Sequence, residues 1–493
     1  MNIALIIILA FLLLSIFLGI RSTKGKDMNL EQWTVGGRGF GAIFVFLLMA
    51  GEIYTTFSFL GGSGWAYGKG APALYVLIYI TLSYVLSYWL LPAIWKYAKE
   101  NRLMSQSDFF VSKYKSPTLG ILAALVGVVS MIPVVVVQLK GLGIIVSEAS
   151  YGAISMSTAV WLGAISLTIY VMISGIHGSA WTAVIKDIMM IVIIAFLGIY
   201  LPIHYFGGLQ PMFETINAAK PGFLTLPEQG LSVSWFISTV ILLVFGFYMW
   251  PQVFSAVYTA RSGKTFRKNA IISPLYTLML LFVFFVGFAA ILKVPGLEGA
   301  DADLSLLRLA IQTFDPWFIG VIGAAGMLTA LVPGSMLLMS VSTLLAKNVY
   351  KELHPGASDR HVVRLAKLLV PVIALISVYF TLNGGETMSA LILMGYSFIT
   401  QLFPSLLFSL KKKNFINKYG AIAGIICGLA IVTYITISQS TIGTLFPSLP
   451  QAAKDLNVGI IALAVNFIVM MVVSLAFKKL VVAEVKPVVV KEV

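Results

Sequence analysis

Apolar runs of about 20 residues, the length that carries a helix across a bilayer core, recur along nearly the whole chain. They predict thirteen spans, at roughly 3–20, 40–64, 72–95, 118–146, 156–176, 180–206, 232–258, 270–293, 316–346, 366–383, 387–409, 419–438 and 457–477. The polar segments between them are short, the longest outer ones being 207–231 and 294–315. The first run, MNIALIIILAFLLLSIFLGI, has no basic stretch before it and no small-residue cleavage site after it. It reads as a retained span rather than a signal peptide. The pattern describes an all-α polytopic membrane protein with one membrane domain over 1–493: a peripheral span at 1–20, halves at 40–206 and 232–409, and peripheral spans at 419–477.

Polar positions inside the runs are few, and they cluster at breaks. Glu52 sits twelve residues in from Phe40, about 18 Å at helical rise, which is mid-bilayer. An ionisable group there costs about 2.5–3.5 kcal/mol on insertion scales and marks a functional site by default. The competing reading is a protonated residue bonded to a neighbouring helix. Around it lie Gly51, Thr55, Thr56, Ser58, Gly61, Gly62, Ser63 and Gly64, residues that let a helix open and turn carbonyls and hydroxyls inward. Lys140, Lys186 and Asp187 also lie at membrane depth, and Glu386 near an outer end. Pro133, Gly246, Pro251, Pro333–Gly334 and Pro404 interrupt other spans. Corresponding breaks in two halves point to a binding site between inverted repeats. Spans two to six and seven to eleven make two sets of five, and an odd repeat inverts its topology.

Composition narrows the class. Of 493 residues 59% are hydrophobic and 11% charged, with mean hydropathy +0.96; soluble proteins carry about 25% charged residues. The single cysteine, Cys427, allows no disulfide within the chain and no cysteine metal site. The net charge of +14 invites a nucleic-acid partner, but its distribution gives topology instead. Basic residues crowd the loops after spans one, three, seven, nine, eleven and thirteen, while the opposite loops hold Lys69, Lys220, Lys293, Arg308 and Lys454. By the positive-inside rule the N-terminus is outside and the C-terminus cytoplasmic. The outer acidic cluster Glu298, Asp301, Asp303 and Asp315 either concentrates cations or is simply solvated. There is no HExxH. SGKT at Ser262–Thr265 has Tyr258 where a phosphate-binding loop needs glycine, and VGGRGFG at Val35–Gly41 lacks a βαβ context. Nothing hydrolyses ATP, so pumping draws on an ion gradient.

Four stretches carry a family resemblance: WTVGGRGFG at Trp33–Gly41, GEIYTTFSFLGGSGWAYGKG at Gly51–Gly70, SGIHGSAWTAVIKD at Ser174–Asp187, and GFYMWPQVFSAVYTARSGKTFRKNA at Gly246–Ala270. Together they resemble the sodium:solute symporter family over about residues 1–410. The resemblance implies a LeuT-type inverted repeat and symport of a small organic solute with a cation across a lipid bilayer. It implies no organic cofactor, no nucleic acid and no obligate protein partner. The family's sodium site uses carbonyls that match Gly51 and Tyr54, and hydroxyls of the ninth span. There the chain departs: the expected Ser-Thr pair falls on Val332 and Pro333, with Thr329 nearby and Ser335 within a turn. In the sixth span the usual Asp is Ala183 and the usual Gln is Lys186. An ammonium at Lys186 fills a vacated cation site on this reading, and a proton on Lys186 or Glu52 becomes the coupling ion. Alternatively Lys186 pairs with Asp187 or reaches toward the cytoplasm.

With QLKGLG at Gln138–Gly143, the departures resemble the monocarboxylate-permease branch. Lys140 is the expected anion-binding cation, or else a lysine reaching the outer interface. Thr55, Thr56 and Gln138 would line the substrate site, with Tyr248, Trp250 and Gln252 beside Pro251 as its wall. The expected substrate is lactate, pyruvate or acetate, with pantothenate or proline as alternatives. A membrane sensor on the same fold needs a cytoplasmic domain for which the tail Lys478–Val493 is too short. A channel is separated from a symporter by saturable, concentrative uptake. An intramembrane enzyme lacks any nucleophile–base pair.

Overall fold

The computed structural model describes residues 2–51 and 53–478. Glu52, the midplane acid, therefore lies outside the described residues, as do the basic positions beyond Lys478. The described residues are helical throughout, with no strand; an isolated parallel bridge joins Phe40 to Ala260.

Helix starts are set by short polar side chains at the caps, which satisfy N–H groups that have no partner inside the helix. α1 (Ile3–Thr23) is capped by Asn2, whose side chain accepts from the Leu5 N–H. The second predicted span is two short helices, α2 (Ala42–Gly51) and α3 (Gly62–Lys69), separated by non-helical backbone and a π turn at Phe57–Gly61. α4 (Tyr75–Glu100) follows, then the short helix α5 (Gln106–Tyr114), started by a capping box of Ser105 and Asp108. α6 (Pro117–Ala149) begins with Ser116 as cap and Pro at the first helical position, where its missing N–H costs nothing.

α7 (Met156–Phe206) is 51 residues long, about 76 Å at helical rise, more than twice a bilayer core. It is two predicted spans joined at Gly175, whose φ of 51° and ψ of −151° are not helical. A Cβ at Gly175 would lie 2.4 Å from the Trp33 ring, so only glycine fits this turn. α8 (Val233–Gly246) and α9 (Pro251–Tyr258) form the second broken span, bent by 45°. α10 (Lys264–Thr277) and α11 (Leu280–Lys293) lead to the short α12 (Ser305–Thr313). Then come α13 (Pro316–Thr343), α14 (Asp359–Asn383), α15 (Met388–Ile399), α16 (Phe403–Ser409), α17 (Lys418–Ser438) and α18 (Val458–Ala476).

Among the described residues ten helices are long and apolar enough to cross a membrane, and the bent α8–α9 pair makes eleven. The sequence reading gave more because α7 holds two predicted spans, while α2 and α3 are each too short to qualify. α13 is the buried axis, packed against α1, α6 and α7. In lipid such packing is driven by close contact rather than by the hydrophobic effect, so small residues line the seams. On the periphery Gly420, Gly424 and Gly428 of α17 face α18 and its neighbour: a Cβ at these positions would come within 1.9 Å of Ser474, 2.5 Å of Asn466 and 2.2 Å of Gln401.

Candidate transport site

The two broken spans meet. Thr55 and Phe57 from the α2–α3 break, and Phe247, Trp250, Gln252 and Val253 around the α8–α9 bend, line one cavity of about 40 Å³. Tyr79 of α4, Val134 of α6, Pro333 and Leu337 of α13, and Ile392 and Tyr396 of α15 complete its wall. Among the described residues, no Asp, Glu, Lys, Arg or His lines it. A single water needs about 10–15 Å³ by the same measure, so there is room for a solute of a few heavy atoms. Aromatic rings set its shape: Trp250 and Tyr396 meet edge to face at 5.1 Å, and Tyr79 and Tyr396 at 5.7 Å. Close helix approach holds the break in place, since a Cβ at Gly141 of α6 would lie 1.7 Å from the Thr56 methyl carbon.

A charge sits at the back of the break. Lys186 of α7 is fully buried. Its Nζ donates to the Tyr54 carbonyl at 3.3 Å and lies 2.9 Å from Asp187 Oδ1. A Cβ built on Gly51 would be 3.3 Å from that Nζ and 3.8 Å from Val332 Cγ1. The Lys186 amine thus sits in the crook formed by Gly51, Tyr54 and Val332, and it pairs with Asp187, as one of the alternatives for this lysine had it. Thr329 Oγ1 donates to the Gly326 carbonyl at 2.6 Å, and Ser335 Oγ to Val332 at 2.6 Å. Pro333 lines the solute cavity one residue beyond Val332.

The remaining expected site residues divide. Thr55, Trp250 and Gln252 line the cavity. Thr56 and Gln138 stand behind it, with the Thr56 N–H donating to Gln138 Oε1 at 3.4 Å. Tyr248 is buried outside the cavity lining. Lys140 is also absent from that lining: its Nζ donates to Asp303 Oδ2 at 2.7 Å and to the Glu386 carbonyl at 3.0 Å. Tyr79, Phe247, Tyr396 and Asp303 were not singled out by sequence. The aromatics sit in ordinary apolar runs, and Asp303 belongs to a loop cluster that reads as solvated.

Contacts bridge neighbouring elements at both ends of the helices. At the end that carries the basic loops, Phe40 N–H donates to Thr259 O at 3.1 Å and Arg261 N–H to Phe40 O at 3.3 Å. Trp95 Nε1 donates to Ala260 O at 2.8 Å, and Arg38 to Leu103 O at 2.8 Å. Lys347 and Asn348, at the end of the α13 span, donate to Asp108, which also accepts from the Met104 and Ser105 N–H groups. Burial alone would raise the Asp108 carboxyl; the Lys347 ammonium and the other donors outweigh it and hold it below its ordinary range. At the other end the turn Gly299–Leu304 covers α3, and Ser63 Oγ meets Ser305 Oγ at 2.9 Å.

Two broken helices around a small cavity, with a buried lysine behind one break, have the build of a secondary transporter. The sequence model of the Sodium:solute symporter family matches residues 33–428, and the chain belongs to that family. It is 70% identical over 97% of its length to a Bacillus subtilis (strain 168) protein described as the uncharacterized symporter YhjB, covering 98% of that protein. It is 27% identical to the monocarboxylate transport permease protein of Rhizobium johnstonii, over 96% of both chains. Its fold matches a Na+-coupled sialic acid symporter, solved substrate-bound and outward-open, with TM-score 0.78 and 16% identity over 97% of this chain and 98% of that one. The protein is a cation-coupled symporter of the plasma membrane with a LeuT-type fold, a multi-pass transporter rather than an enzyme.

Proposed function

We propose that this symporter moves a small monocarboxylate together with a proton, and that Lys186 carries the proton. The observation behind this reading is the Lys186 ammonium held against Gly51, Tyr54 and Val332. An anion entering a cavity without a cationic wall loses hydration with no direct counter-charge. A nearby buried ammonium offsets that loss while it is protonated, so anion and proton bind and leave together. One proton per anion makes each pH unit worth about 1.4 kcal/mol, a tenfold accumulation. The size of the cavity suits acetate, lactate or pyruvate, and likeness to a monocarboxylate permease supports the same class. Glu52 is a second candidate proton carrier.

The proposed topology has thirteen spans, counting the two halves of α7 separately and α2–α3 as one. Spans two to six and seven to eleven form the inverted repeats, with the N-terminus outside and the C-terminus cytoplasmic. The gathering of the loops of Arg38, Lys99, Arg261 and Lys347 at one end supports it.

The test is uptake of radiolabelled lactate, pyruvate and acetate into proteoliposomes under a pH gradient alone or a sodium gradient alone. Accumulation by the pH gradient without sodium is expected. Strict sodium dependence sinks proton coupling and leaves the second reading, which family membership favours: sodium-coupled symport of a carboxylate, pantothenate, proline or another small metabolite.

A further inference from the structure

We infer that Lys140 and Asp303 form the latch that holds the outer exit shut, so that Lys140 serves closure rather than the central substrate site. Asp303 is in the turn Gly299–Leu304, 163 positions from Lys140, and is 1% exposed although it belongs to an outer loop. Its Oδ2 accepts from Lys140 Nζ at 2.7 Å and from the Met388 N–H at 3.1 Å; its Oδ1 is buried without a hydrogen-bond partner. One carboxylate therefore joins three elements that border the outer pathway. α6 supplies Lys140, the start of α15 supplies the Met388 N–H, the loop before it the Glu386 carbonyl, and the turn lies on α3. The last contact is tight, since a Cβ at Gly64 would be 2.9 Å from the Ala302 backbone. Met388 in turn packs on Gly61, where α3 leaves its π turn: a Cβ there would lie 3.0 Å from the Met388 Cβ.

The asymmetry of the pair identifies what closing depends on. Lys140 keeps some exposure, while Asp303 keeps almost none. A cation released from the pair turns to water; a carboxylate left in place stays buried and unpaired, the costly half of a broken buried pair. Removing Lys140 therefore opposes closure through Asp303, and removing both charges relieves it. The charged groups around Asp303 are Lys140 from α6 and Asp301 of its own turn, with Glu386 flanking at the start of α15. Burial raises the Asp303 carboxyl, and Lys140 offsets this only in part. Without Lys140, acid outside neutralises the carboxyl and restores closure.

The experiment follows access from outside to a cysteine at a cavity position. Cys427→Ala with Ile392→Cys is the parent, labelled by a membrane-impermeant thiol reagent in intact cells. Adding Lys140→Met should speed labelling at neutral pH by about tenfold or more, the scale of an unpaired buried charge. Adding Asp303→Asn to that variant, or acidifying the medium, should return labelling to near the parent rate. Lys140→Arg should stay slow. Tyr151→Cys in the outer loop, labelled equally in every background, reports that the protein reaches the membrane. Should Lys140→Met not do so, Asp303→Lys tests the same latch and should also label fast. Labelling of Lys140→Met or Asp303→Lys at the parent rate overturns the inference, as does a double variant as fast as Lys140→Met. The readout requires no transport, so it stands apart from the choice of substrate and coupling ion.

Discussion

At the scale of single residues, the decisive atom is Lys186 Nζ. It donates to the Tyr54 carbonyl and forms an ion pair with the Asp187 carboxylate, which ties an ionisable group to the opened helix. Lys186→Met should abolish pH-driven accumulation, while exchange of labelled for unlabelled solute across a membrane without a gradient persists. Loss of both activities equally would mean that the lysine only supports the fold. At the cavity, Trp250→Ala removes a wall ring. It should raise the half-saturation concentration for acetate several-fold, by the loss of roughly 1–2 kcal/mol of contact, and admit longer acids. Competition assays with a chain-length series check this. The sequence made Lys186 legible because a charge inside an apolar run breaks a local rule, whereas Gly51 and Tyr54 were reached through the family resemblance. It left Tyr79 and Tyr396 unseen because an aromatic inside a span breaks none. Lys140 was visible as a charge, but its partner was not, since a pairing over 163 positions leaves no local pattern.

At the scale of elements, the breaks were readable and their consequences were not. Gly, Pro and hydroxyl residues marked α2–α3 and α8–α9, but nothing in either segment says that the bends line one cavity. The Asp108 cluster at the end that carries the basic loops is similar: the capping box of α5 is a local signal, whereas its capture by the end of the α13 span is not. Asp108 is held below the ordinary carboxylate value of about 3.9, so its contribution is complete above that value and lost only as pH falls through the depressed one. Inner closure should therefore be flat across physiological cytoplasmic pH. Asp108→Asn should speed labelling of a cavity cysteine from the cytoplasmic side at every pH, measured in inside-out vesicles. On the periphery Gly424→Leu should drive α17 and α18 apart, because no side chain fits 2.5 Å from Asn466. The expected result is a lower yield of folded protein in detergent, with little change in half-saturation for the fraction that folds.

At the scale of the whole molecule, family and fold are those of a cation-coupled symporter, and the proposed coupling sets its charge balance. A one-to-one exchange of anion charge for proton charge is electroneutral. Uptake should then be indifferent to a potassium diffusion potential, checked with valinomycin in proteoliposomes. A net current during uptake would require more than one cation per solute.

The bridge between Phe40 and Ala260 has a genetic consequence. It staples the start of one broken helix to the end of the other through peptide groups, with Phe40 giving and receiving one bond each. Peptide groups are the same in every residue but proline. Ordinary missense variants can alter the neighbouring side chains without touching this staple, so a mutational scan would pass over it. Arg261→Pro deletes one of its two donors, and proline alone among the substitutions would make this fastening visible.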